Sequence, residues 1–281
     1  MTTGAIKAQE AKNTFRYKVG NYEVILLSEG QNQGNPGILI GATPEMLQET
    51  MPGGSYPTAV NAFLVKTPNQ NYLIDTGFGR NLPDNLKAFN VAPENVNTLI
   101  ITHMHGDHIG GMIKDGKNVF PNAKVQLSDV EHTYWTSDAE MNKLPEDRRR
   151  SFQGPRNALK AYADKIELVK AEEIGEKSGD GIFFIKAYGH TPGHIGCLVK
   201  SGNEQLLIWA DLAHAMAIQM PYPQIAVTYD TYPDMAVESR KKILEYVSKH
   251  NIPVAGMHIP YPSIGHIKAN GKGGYVFSPV N

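Results

Sequence analysis

"VNTLIITHMHGDHIGG", residues 96–111, decides how this chain is read. Val96 to Ile101 is a short run of apolar and β-branched residues, the pattern of a buried strand. Where it ends, His103, His105, Asp107 and His108 follow within six positions. Side chains that can each bind a metal are rarely packed this densely by chance. A cluster at the end of a buried strand stands at the mouth of a sheet, where α/β folds place their sites.

The same arrangement recurs downstream. "GIFFIKAYG" (181–189) runs into His190, "QLLIWAD" (205–211) ends at Asp211, and "IPVAGMH" (252–258) ends at His258. Four strand ends therefore deliver metal-capable side chains to one edge. Five histidines and two aspartates exceed what one tetrahedral zinc takes, four ligands or three plus water. They suit two divalent metal ions. His103, His105 and His190 make one set, and Asp107, His108 and His258 the other. Asp211 bridges them, with a shared hydroxide filling the remaining position. Imidazole with carboxylate favours zinc, with manganese, iron and cobalt as alternatives.

Working outward, "YEVILLSEG" (22–30) reads as a buried strand ending at a glycine turn. Residues 31–59 hold five glycines and four prolines and read as a long loop region. "VNAFLVKT" (60–67) and "NYLIDTG" (71–77) form a hairpin about Pro68-Asn69-Gln70. "AKVQLS" (123–128) and "IGCLVKSG" (195–202) are further strands. Residues 129–165 are charged and helix-prone, with a break near Gly154-Pro155. Asp234 is the expected cap of a helix reaching His250. On it Ala236, Arg240, Ile243, Leu244 and Val247 share one side, the arginine being the sole non-apolar member. No linker or repeat interrupts the chain, so residues 1–14 read as a polar arm and 15–281 as one domain. The order of elements suits two sheets packed together with helices outside.

Composition narrows the function classes. A hydrophobic share of 41% with 20% charged residues is that of a globular chain with a large core. A formal net charge of −1 offers no bulk basic character for nucleic acid or anionic lipid. The run Arg148-Arg149-Arg150 reads as a solvated helix face. No stretch approaches the ~18 apolar residues of a membrane span. Cys197, the single cysteine, allows no intramolecular disulfide and sits in an apolar run, where a thiol is usually inert. The N-terminal residues lack the apolar core of a signal peptide. The expected location is the cytoplasm, or the periplasm or exterior if a signal was removed ahead of residue 1.

The ordered motifs His103-x-His105-x-Asp107-His108, "GHTPGH" (189–194), "AD" (210–211) and "GMH" (256–258), with "LIDTG" (73–77) upstream, resemble the metallo-β-lactamase superfamily. The resemblance covers roughly residues 15–281. It implies a four-layer αβ/βα sandwich with a dinuclear site at its edge. In "GHTPGH" it makes the first histidine, His190, the ligand and leaves His194 a neighbour. "WADLAHAMAIQMPYPQIAVTYDTYP" (209–233) and "GMHIPYPSIGHI" (256–267) look like the methyl parathion hydrolase-like branch, which includes phosphotriesterases and quorum-quenching lactonases. His214 stands where some lactonases of the superfamily carry a substrate-polarising tyrosine, so the chain departs from them there. Asp75 reads as an orienter of the histidine loop rather than a catalyst. His132 and His250 read as surface or packing residues, and His266 as either that or pocket rim. Tyr134, Trp135, Tyr222 and Tyr261 suit an apolar pocket or the core equally.

Two metals sharing a hydroxide imply hydrolysis of an ester-like bond in a small molecule, a lactone (acyl-homoserine lactones included) or a phosphotriester. Asp107 and Asp211 are the catalytic candidates: Asp107 orients the hydroxide and shuttles a proton, and Asp211 bridges. Nucleic acid and membrane are not expected partners; a homodimer is. Glyoxalase II-type thiolester hydrolysis needs a C-terminal helical extension, and 281 − 258 leaves only 23 residues after His258. Class B1 β-lactamases place a cysteine where Asp211 stands. Two alternatives stay open: a redox enzyme of the persulfide dioxygenase type, and a non-catalytic metal-binding protein.

Overall fold

Strand β1 (Thr14–Val19) opens a seven-stranded sheet. It continues through β2 (Tyr22–Gly34), β3 (Tyr56–Lys66), β4 (Asn71–Ile74), β5 (Thr98–Ile101), β6 (Lys124–Ser128) and β7 (Ile166–Val169), side by side in chain order. Pairing is antiparallel from β1 to β4 and parallel from β4 to β7. A six-stranded sheet follows, again in chain order. It comprises β8 (Gly181–Lys186), β9 (Ile195–Ser201), β10 (Glu204–Ile208), β11 (Val254–Ala255), β12 (Ile264–Ala269) and β13 (Tyr275–Pro279). The computed structural model describes residues 14–280. The expected polar arm therefore lies outside the described residues, apart from Thr14, which begins β1.

Side-chain alternation builds the layers. Along β2, Val24 and Leu26 point one way and join Phe63, Val65, Ile74 and Ile100 of the same sheet. They meet Cys197, Val199, Leu206 and Ile208 of the other sheet. Ile25 and Leu27 point the opposite way, against Leu82, Leu86 and Phe152 of the covering helices. The second sheet does the same: Leu198 and Leu207 face Ile243, Leu244 and Val247 of the Pro233–His250 helix. Strands buried on both faces read as unbroken apolar runs, which is why β2 and β5 looked as they did. Each such side chain contributes roughly 1.5–3 kcal/mol of burial. Helix, sheet, sheet, helix is the four-layer sandwich the motifs implied.

The structure differs from the sequence reading in several elements. β2 does not end at Gly30 but continues to Gly34 through a bulge, where Gly30 takes φ +141. An extra residue there shifts the register without ending the pairing. Residues 31–59 are consequently not one loop. They complete the β2–β3 hairpin and carry a helix, Pro44–Thr50, whose cap Thr43 accepts from Met46 N. Gly154 and Pro155 do not break a helix; they lie in the first turn of Gln153–Ala161, where a missing N–H costs nothing. The breaks fall at Ser137, Leu144-Pro145 and residues 150–152. The Pro233–His250 helix is preceded by Tyr232, so Asp234 lies in its first turn rather than at its cap. Its expected inner face is buried in full, Arg240 included.

Candidate metal centre

Both sheets feed one edge. The loop after β5 carries His103 and His105 and enters a short turn of helix, Gly106–Ile109, holding Asp107 and His108. His190 follows β8, Asp211 follows β10 and His258 follows β11. The donor atoms of His103, His105, His190 and Asp211 lie within 4.8 Å of one another, as do those of Asp107, His108 and His258. Asp211 is central. Its Oδ2 lies 3.0 Å from His258 Nε2, 3.3 Å from His190 Nε2 and 3.6 Å from His103 Nε2. Its Oδ1 lies 3.2 Å from His108 Nε2. All seven expected side chains are thus brought together.

Partners on the outer nitrogens fix the rings. Asp75, buried, accepts from Thr102 N at 2.8 Å and Thr102 Oγ1 at 2.6 Å, and pairs with His108 Nδ1 at 2.7 Å. His103 Nδ1 meets Thr102 Oγ1 at 3.2 Å, and His258 Nδ1 meets the Ala59 carbonyl at 2.9 Å. His190 Nδ1 pairs with Asp230 Oδ1 at 2.9 Å. Such outer partners orient an imidazole and set its tautomer. His194 is arranged differently. Its Nδ1 bonds the Ala187 carbonyl at 2.7 Å and its Nε2 accepts from Asp211 N at 3.1 Å. Both its nitrogens are used away from the cluster, whereas His190 turns Nε2 into it. Asp230 and Thr102 were not singled out in the sequence. Asp230 sits forty residues from His190, and no local pattern marks it.

His214 joins from the side. Its Nε2 is 3.0 Å from Asp211 Oδ2, its ring stacks on His258 at 4.8 Å, and its Nδ1 is buried without a partner. Asp211, His214 and His258 form a third group of donors within 4.8 Å. His266, on β12, does not line the cavity at the cluster. Trp135 is buried in the core beside Phe152, and Cys197 is buried between the sheets, where burial pushes its thiol pKa well up.

The donor set fits divalent cations. His108 Nε2 and Asp211 Oδ1 are buried and face each other at 3.2 Å, but neither makes a hydrogen bond of acceptable geometry, a costly state unless a cation takes them up. Burial opposes ionisation of Asp211, but His108 and His258 hold its carboxyl well below the usual range. Burial lowers the His190 pKa, yet Asp211 and Asp230 together raise it to about 9. Buried carboxylates thus draw positive charge into the cluster, as metal ligands do. Above it opens a cavity of about 560 Å³, lined by Tyr56, Phe78 and Tyr229 as well as His105, Asp107 and His214.

Paired sheets, flanking helices and a histidine–aspartate cluster at their shared edge define a class of metal-binding α/β sandwich proteins. The chain belongs to the Metallo-beta-lactamase superfamily, which residues 55–251 match. Six of the seven clustered residues fall in that span, and His258 follows it. The solved structure of hydrolase AbOPH is similar over 97% of this chain and 99% of its own, at 29% identity and TM-score 0.85. AidC, a dizinc quorum-quenching lactonase solved in complex with a product, is similar over 96% and 98%, at 27% identity and TM-score 0.85. The N-acyl homoserine lactonase AttM of Rhizobium radiobacter is 29% identical over 188 residues, 63% of each chain. The chain spans 56% and 58% of the length of two further curated relatives.

Proposed function

We propose that this protein is a dinuclear metal-dependent hydrolase of ester-like bonds in small molecules, with a lactone the favoured substrate and a phosphotriester the next. The observation that carries the reading is the convergence of seven donor side chains beneath one cavity, five of them lining it, with two of their buried atoms left without a hydrogen bond. Similarity to AidC and AttM supports the lactone. His103, His105 and His190 would hold one ion, Asp107, His108 and His258 the other, with Asp211 between them. Zinc suits these donors, and manganese, iron and cobalt are alternatives. Two such ions, when bound, would supply a nucleophile from water at neutral pH and Lewis-acid polarisation of the bond to be broken.

The chain's own groups do the rest. Both carboxylates of the cluster line the cavity, and Asp107, its side chain 25% exposed against 2% for Asp211, is the more open. Its Oδ2 lies 3.6 Å from His258 Nε2 and its Oδ1 3.8 Å from His108 Nε2. A carboxylate so placed orients the nucleophile and carries a proton to the leaving alkoxide. Phe78 and Tyr229, roughly half exposed at the cavity wall, offer apolar surface to the substrate and exclude water from the reacting bond.

The test joins metal content to turnover. The purified protein is loaded with excess zinc, manganese or cobalt, freed of unbound ion and analysed for metal per chain. It is then assayed on an acyl-homoserine lactone, an aryl phosphotriester and an aryl ester, with a glutathione persulfide as the redox control. About two ions per chain and metal-dependent lactone opening are expected. A stoichiometry that stays at one removes the dinuclear reading, and oxidation of the persulfide with no hydrolysis removes the hydrolase.

A further inference from the structure

One buried carboxylate ties together the loops that carry His103, His105 and His190. Glu131, in the Asp129–Thr136 helix, is fully buried. Its Oε1 accepts from Met104 N at 3.0 Å and from Trp135 Nε1 at 2.6 Å. Its Oε2 accepts from Thr191 Oγ1 at 2.7 Å and from Gly193 N at 3.0 Å. Met104 stands between His103 and His105, and Thr191 directly follows His190. Gly193 packs so closely that a Cβ there would come within 2.1 Å of Glu131 N. One further backbone bond, from Ile195 N to Thr102 O at 3.0 Å, joins the same loops.

We propose that Glu131 is a positioning residue for the metal centre. It fixes the spacing between the His103/His105 loop and the His190 loop, and so governs the affinity of the ion those three residues hold. The assignment rests on the dinuclear reading above. The chemistry favours a carboxylate here: ionised, it only accepts, and it has room for all four donors, whereas an amide turns an NH2 group toward some of them. Burying that charge is costly unless such bonds satisfy it, and four do. The second donor set has its own anchors, Asp75 on His108 and the Ala59 carbonyl on His258, so it does not depend on Glu131.

The experiment compares stepwise ion affinities. Apoprotein of the parent, Glu131→Gln and Glu131→Asp is titrated with Zn2+ against a chromogenic chelator, and with Co2+ by its visible absorption. Circular dichroism and thermal unfolding report folding. Outer-partner changes commonly cost metal sites about 10- to 100-fold in affinity. Glu131→Gln is expected to lower one of the two affinities by about that factor and leave the other within about 3-fold. In a His190→Ala background the same change should then have no further effect, the signature of a shared site. If Glu131→Gln does not fold, Glu131→Asp, which keeps the charge on a shorter stem, is read in the same way. Lowered thermal stability with both affinities unchanged, or an equal fall in both, overturns the proposal. If the parent binds a single ion, the dinuclear reading fails. Glu131 is then judged on that ion alone: a fall supports its role and no change overturns it.

Discussion

At the scale of single residues, Asp211 and His194 make an informative pair. They touch, since Asp211 N donates to His194 Nε2, yet they contribute differently. Asp211 directs both carboxylate oxygens at the imidazoles of the cluster, while His194 uses both nitrogens on the backbone. Asp211→Ala is therefore expected to lower kcat for a lactone or aryl ester at least ~100-fold, because nucleophile generation and substrate polarisation each supply several kcal/mol. His194→Ala, which only loosens the backbone around Asp211, should cost about 10-fold. Metal analysis and circular dichroism on both variants complete the comparison. Should His194→Ala lose an ion while His190→Ala keeps two, the roles of the two histidines are reversed. The motif "GHTPGH" shows two histidines four apart and no more. The family resemblance made the first the ligand; in the structure His190 turns Nε2 into the cluster while His194 uses both nitrogens on the backbone.

At the scale of elements, the Pro233–His250 helix does two jobs. Its apolar residues pack on the second sheet, and Arg240 reaches past them to the segment that follows Asp211. The guanidinium, about 1% exposed, donates to the carbonyls of Leu212 at 2.7 Å, Pro223 at 3.0 Å and Ile225 at 2.7 Å. Burial pulls its pKa down to about 10, so it stays charged at neutral pH. The planar fork explains why one polar residue interrupts an otherwise apolar face. Arg240→Met takes a donor from three buried carbonyls, of which Ile225 O keeps Gln219 Nε2 at 2.9 Å, and should cost about 3 kcal/mol or more in urea unfolding. Arg240→Lys should recover only part, since its donors sit on one nitrogen while the guanidinium uses both Nε and Nη1. A loss under about 1 kcal/mol for Arg240→Met would show that water replaces the guanidinium without consequence. The helix's periodicity was readable from the sequence. The partners of its arginine were not, because they lie 15 to 28 residues away along a folded loop.

At the scale of the whole molecule, the cluster draws on both sheets. His103, His105, Asp107 and His108 belong to the first, and His190, Asp211 and His258 to the second. Ions held there would join the two halves, since the donor set exists only in the folded state. Metal binding would then add about 2.7 kcal/mol of stability at a free ion concentration 100 times Kd. For a chain of this size, removing the metal with a chelator should lower the unfolding midpoint by about 5 °C or more. Calorimetry on metal-free and reloaded protein measures this. An unchanged midpoint after verified metal removal would mean the ions do not bridge the sheets.

The sequence by itself determined the strand-end cluster, the two-sheet sandwich and the inner face of the last helix. These depend on period and on short spacing: His103 to His108 share six positions, and β2 and β5 announce themselves as continuous apolar runs. Tertiary structure alone decided the rest. It placed Asp230 behind His190 and set Glu131 between two loops. It also carried β2 past Gly30, because a bulge is visible only once the partner strand is in place. In each case the deciding contact joins residues far apart in the chain or on different strands, where local pattern carries no information about which groups will meet.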